Sequence, residues 1–174
     1  MSIPIDWQTL AKELGTIQET GESGSDFDAH RALDLIIGHD ELCKAVDWVI
    51  HDHPGFALAR AVLRVLQPWT AVQYCYDLYR SQQDLHVRRA AVWLLSDIAD
   101  PQTLDWVAEF LDDSDEEIQA WGVHLLNELV RASLTGFDGS DALLSKAECH
   151  SNPHVQQRAA EIRAYLNRRQ TNRA

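Results

Sequence analysis

The sequence predicts an all-α protein, an α-solenoid of about four helical hairpins preceded by an extra N-terminal helical segment. Three observations carry this. Apolar residues recur at the spacing of one helical face in nearly every segment between breaks. The breaks are short and hold helix-stopping or helix-starting residues, as at Gly38, Pro54-Gly55 and Asp100-Pro101. One striped helix, beginning at Leu85, has copies along the chain, and a single such helix cannot bury its stripe unaided. A composition of 45% hydrophobic and 24% charged residues, with 8 Gly and 5 Pro, agrees with a helical globule.

Taken in order, residues 5–14 predict a short amphipathic helix with Trp7, Leu10 and Leu14 on one side. Residues 15–26 are rich in Gly, Ser, Thr and Glu and predict a loop. Gly21 and Gly24 there lack the preceding strand and following Lys of a phosphate loop. Residues 27–37 form a helix closed by Gly38, and Asp40 caps the next, which turns Leu42, Ala45, Val46, Val49 and Ile50 inward. Residues 56–66 are apolar almost all round, as in a helix sandwiched between neighbours. Pro68 suits the first turn of a helix over 69–79.

In the helix that follows, Val87, Ala91, Leu94, Leu95 and Ile98 share a face, with Arg88, Arg89 and Asp97 off it. Pro101 starts another, with Leu104, Val107, Ala108 and Leu111 inward. An acidic turn over 112–117 leads to a helix over 116–130, for which Asp115 is the expected N-cap. Residues 134–140 read as a loop, 141–149 as a short helix, and Asn152-Pro153 opens a last helix ending near Asn167. No strand is predicted. The chain thus divides into an N-terminal helix and loop (1–26), a helical-repeat domain (27–167) and a polar tail (168–174).

Leu58, Val87, Ile118 and Val155 occupy equivalent places in four of these helices, at spacings of 29, 31 and 37 residues. The glycine-containing loop at 134–140 accounts for the longest interval. Val87-Arg-Arg-Ala-Ala-Val-Trp-Leu-Leu-Ser-Asp-Ile-Ala-Asp-Pro101 resembles a HEAT repeat, closest to the short bacterial variety also found in phycobilin lyase subunits. In that family Val-Arg-x-x-Ala precedes Leu and Ile, and Asp-Pro starts the next helix. The resemblance is strongest over 84–131, and Ile118-Gln-Ala-Trp-Gly122 departs from it by lacking the Arg. It implies a binding architecture, which by itself assigns no chemistry.

The resemblance also implies that the second helix of each pair faces the concave side. Six positions beyond each anchor then come Arg64, Trp93, His124 and Glu161, and two beyond come Arg60, Arg89, Ala120 and Gln157. Ten beyond come Asp97 and Glu128, with Asn127 beside the latter. A Trp among Asp, Glu and Arg is the composition of a protein-binding hot spot, although Trp93 also suits packing against the neighbouring helix. Trp69, Trp106 and Trp121 are expected to fill space between layers.

Charge narrows the partner. With 15 basic and 27 acidic residues the net charge is -12, and residues 84–131 hold 11 acids against 3 bases. That is the wrong sign for nucleic acid, so a HEAT-like DNA glycosylase built on Arg89, Trp93 and Asp97 is disfavoured. It favours a basic protein, met by the concave column and by the turn residues Asp112, Asp113, Asp115, Glu116 and Glu117. Small acidic bacterial proteins of this kind resemble immunity proteins of polymorphic toxin systems, which mask a cognate toxin. An adaptor or a phycobilin-lyase-like accessory factor is the alternative, though the column is charged for a tetrapyrrole pocket.

Catalysis, cofactor and metal are not expected. His51 and His53 are two apart and do not share a helical face, and Cys149, His150 and His154 could hold zinc only with a fourth ligand. Three well-separated cysteines without a CxxC suggest reduced thiols. No signal peptide and no apolar run of membrane-spanning length are read, so a cytoplasmic protein, monomeric when free, is expected.

Overall fold

The computed structural model describes residues 5–18, 21–22, 25–132 and 137–171. Expectations touching residues 1–4, 134–136 and 172–174 lie outside the described residues. The fold class is all-α, in two compact units that divide inside one helix, between Tyr74 and Cys75.

Unit 1 begins with α1 (Trp7–Leu14), whose N-cap Asp6 accepts the Gln8 and Thr9 amides at 3.1 Å each. The loop expected next contains a correction. Ile17–Gln18 (β1) and Gly21–Glu22 (β2) pair antiparallel, a two-residue ladder too short for any periodic sequence signal. A capping box of Ser25 and Asp28 then opens α2 (Asp26–Ile37). Gly38, at φ 89° and ψ 147°, turns the chain into α3 (His39–Ile50), so the helix starts at Gly38 with no side-chain cap rather than from Asp40. Leu42, Val46, Val49 and Ile50 of α3 are buried as predicted, and Ala45 is only half-buried.

Helix α4 (Phe56–Leu66) packs on α3, but Leu63 is its one buried residue among those described. Leu58 and Val65 are each 72% exposed and Val62 is 44% exposed. The expectation of a sandwiched helix, and of Leu58 as an inward anchor, is therefore corrected. The packed side of α4 carries Leu63, and Leu58 lies well round the helix from it. Asp34 on α2 accepts the Thr70 amide at 3.0 Å, and Tyr74 donates to Asp47 at 3.1 Å, tying the first half of α5 (Trp69–Ser81) to α2 and α3.

Unit 2 holds the rest of α5 and then α6 (Leu85–Ile98), a 3-10 turn at Pro101–Trp106, α7 (Val107–Leu111), α8 (Glu116–Arg131), α9 (Phe137–Glu148) and α10 (Pro153–Thr171). Two boundaries move: α9 starts at Phe137 rather than 141, and α10 continues past Asn167 to Thr171. Within the unit, α6 packs on α8, α8 on α10, α7 on α8 and α9 on α10, a stack of hairpins in solenoid fashion.

The repeat register holds here residue by residue. Asp84, Asp115 and Asn152, each three before its anchor, all accept backbone amides at the starts of α6, α8 and α10. Four beyond the anchor come Ala91, Gly122 and Ala159, seven beyond come Leu94, Leu125 and Ile162, and all six are buried. Ile118 and Val155 are buried, whereas Val87 is half-buried.

The small residue at the second of these places has a steric cause. A Cβ on Gly122 would lie 2.7 Å from Cβ of Phe110, so α7 and α8 approach too closely for a side chain there. Trp106 fills space as expected, stacked on Tyr76 with centroids 4.0 Å apart. Arg163 binds Glu148 at 2.9 Å across the α9–α10 hairpin, and these hydrogen bonds raise its already high pKa. Among the described residues no helix is long and apolar enough to cross a membrane.

Candidate partner-binding groove

The acidic turn and the second-helix face have different fates. In the turn, Asp113 has a side chain only 5% exposed. It accepts from Arg88 Nη2 at 2.6 Å and from the Tyr79 hydroxyl at 3.0 Å through Oδ2, and from the Asp115 amide at 2.9 Å through Oδ1. Arg88 also donates to the Tyr79 carbonyl at 3.2 Å and lies 5.3 Å from the centre of its ring. Burial first, then the bond to Asp113, pushes the Tyr79 phenol far above its ordinary range.

Asp115 accepts two bonds from Arg89, at 3.0 and 2.6 Å, while capping the Glu117 and Ile118 amides. The Arg89 bond holds its carboxyl below the usual range, and the Asp115 bond in turn raises the guanidinium. The remaining Arg89 nitrogen reaches Glu117 at 2.9 Å, and Asp112 takes Lys146 at 2.6 Å. Arg89 and the turn are thus one internal network, where the sequence suggested two separate partner contacts. Asp113 in particular is a structural carboxylate. Glu116 makes no ion pair among the described residues.

Asn127 is a second correction. Its side chain bonds Glu128 at 2.8 Å and Arg131 at 3.0 Å, and the residue is buried, as is Ser96 in the equivalent place on α6. The position one before Glu128 points toward the packed side of the helix. Trp93 and Asp97 are half-buried on α6. Arg60, half-buried, and Arg64, exposed, belong to unit 1 and are described with it.

His124, Glu128 and Glu161 remain on the presented face of unit 2. His124 stands edge-on to Trp121 with ring centroids 5.7 Å apart. Burial pushes its imidazole pKa down, opposed by the nearby charges of Glu128 and Asp97 and reinforced by Arg158. A cavity of about 550 Å³ opens beside it, between α8 and α10. Val123 lies at its buried end, Trp121, His124 and Arg158 are half-buried, and Glu116, Glu117 and Glu161 stand exposed at its edge. Glu161 is held by Arg158 at 2.8 Å.

Trp121, Arg158 and His154 are not among the residues that the sequence places on the concave face, whereas Gln157 is. Trp121 was expected between layers, and it lines the cavity instead. A signal for it exists: Trp121 and Arg158 are both three beyond their anchors, next to the column already chosen on the same helical face.

The groove offers an aromatic wall, an apolar floor and a surplus of carboxylates, and so suits a cationic group with an aliphatic stem. No group of three His, Cys, Asp or Glu that could hold a metal ion occurs among the described residues. His150 is a structural hook. Its Nδ1 accepts the Asn152 amide at 3.0 Å, so Nε2 carries the hydrogen and donates to the Leu111 carbonyl at 2.8 Å. Asn152 adds bonds to the Glu116 carbonyl at 3.1 Å and to Gln119 at 2.9 Å, fixing the start of α10 to α8.

Hairpins stacked through their second helices define the class, a helical-repeat protein. Residues 44–127 match the family model described as HEAT repeats, in keeping with the stacked hairpins of that segment. No curated protein and no solved structure matches the chain.

Proposed function

We propose that this chain is a non-catalytic module that docks a basic protein on the presented face of unit 2, and in the narrower form that it is an immunity protein neutralising a basic toxin. HEAT repeats generally mediate protein–protein interaction, which supports the broader statement. One observation carries the choice of partner. The groove gathers Trp121 and a neutral-leaning His124 with Glu116, Glu117 and Glu161, while Arg158 is the one fixed cation among its lining residues. Asp97 and Glu128 add negative charge beside it. Such a field speeds association with a basic surface and repels acidic ones. The narrower reading rests on the net charge of -12 over these 174 residues.

Co-expression with the product of the adjacent gene, where that gene encodes a basic toxin, is the test. Rescue of growth with a complex that co-purifies is expected. A complex without rescue would leave a binding module and remove the immunity role, and neither complex nor rescue would remove both.

A further inference from the structure

We infer that the α8–α10 groove is a receptor for a single arginine side chain presented by the basic partner, with the guanidinium against Trp121 and donating to the groove's carboxylates. The inference rests on the docking reading above and adds what the docked residue is.

Three features select it. First, the sign: three carboxylates and one arginine are among the lining residues, and burial lowers the pKa of His124, disfavouring its charged form. Second, the head group. Two of those carboxylates already engage guanidinium groups, Glu117 with Arg89 at 2.9 Å and Glu161 with Arg158 at 2.8 Å. Each is a single N–O contact, so carboxylates of this edge already accept from guanidinium nitrogens. Glu116, at the same edge, makes no ion pair among the described residues and has acceptor capacity for a guanidinium fork. Third, the stem: Ala120 and Val123 offer apolar surface next to the Trp121 ring, which suits three methylenes followed by a flat, weakly hydrated cation. A lysine ammonium is a compact, strongly hydrated charge that gains less from an aromatic face. A volume of about 550 Å³ admits such a side chain with part of its backbone.

The repeat places these residues together. Ala120 and Gln157 are two beyond their anchors, Trp121 and Arg158 three, and His124 and Glu161 six. The groove is thus built from matching positions of two successive hairpins, and α8 supplies the aromatic where α10 supplies the ion pair.

The test is an NMR titration of the full chain with the capped tripeptide acetyl-Gly-Arg-Gly-amide and its lysine and citrulline counterparts. The indole N–H of Trp121, assigned by Trp121→Phe, and the His124 ring report binding. The arginine peptide should move both signals saturably, the lysine peptide should bind at least about fivefold more weakly, and citrulline should not bind. The double variant Glu116→Gln, Glu161→Gln should weaken the arginine peptide by about fivefold with an unchanged melting temperature. Neutralising Asp40 and Glu41 on α3, by Asp40→Asn and Glu41→Gln, should change nothing. Equal binding of lysine and arginine, an equal loss in the α3 variant, or still signals at Trp121 would overturn the assignment. If the tripeptide binds as described but the basic protein does not, only the docking reading fails. If the protein binds the groove variant undiminished, only the arginine receptor fails.

Discussion

The acidic turn at 112–115 and the α8–α10 groove have the same sign of charge, but the first is an internal brace and the second is the face proposed to receive a partner. In the turn, Asp112, Asp113 and Asp115 each meet a basic side chain of the same unit at 2.6 Å. Their charge holds α5, α6, α8 and α9 together and is largely spent before a partner arrives. In the groove, Glu117 and Glu161 form ion pairs at an exposed edge beside the half-buried Trp121, and Glu116 makes none among the described residues. Charge count cannot separate the two regions; burial and partners do. A paired carboxylate taken out of water stabilises the fold only while its partner remains, whereas an exposed one costs little to remove.

The largest effect should come from the turn. Asp113→Ala leaves Arg88 and the Tyr79 hydroxyl without their shared acceptor, and denaturant unfolding should show a loss of about 3 kcal/mol. A loss below about 0.5 kcal/mol would place the turn with ordinary surface ion pairs. Next comes the scaffold behind the groove. Gly122→Ala gains helix propensity of about 1 kcal/mol but forces Cβ against Phe110, for a net loss of about 1–2 kcal/mol in the same assay. A stabilised variant would mean that α7 yields.

The smallest effect is a pH dependence. The folded pKa of His124 lies below its ordinary value of 6.5, so its contribution is complete above pH 6.5 and is lost as pH falls through the folded value. The groups facing it are Asp97 on α6, Glu128 on α8 and Arg158 on α10. His124→Gln should therefore lose less stability than the parent chain on acidification from neutral pH. Parallel profiles for the two proteins would contradict the burial of His124.

The repeat was legible because it is local. Asp84, Asp115 and Asn152 announce helix starts, and the anchors carry a face that any stacked hairpin must bury. Helix α4 was not, since an apolar sequence all round the helix does not say which side finds a neighbour. The presented positions of Asp97, His124, Glu128 and Glu161 follow from helical phase, as do Trp121 and Arg158 once the position three beyond the anchor is included. The bonds from Asp113 to Arg88 and Tyr79 span 25 and 34 residues and have no local signature. For the same reason, an acidic run that reads as a solvated docking surface is the internal brace of the unit.

The central claim is that the turn braces and the groove recognises. Its most direct measurement takes Asp113→Asn beside the double variant Glu116→Gln, Glu161→Gln and records the unfolding midpoint and the affinity for the arginine tripeptide in each. The first should show a lowered midpoint with unchanged affinity per folded molecule, and the second an unchanged midpoint with weakened affinity. The reverse pattern, or both quantities falling together in both proteins, would contradict it.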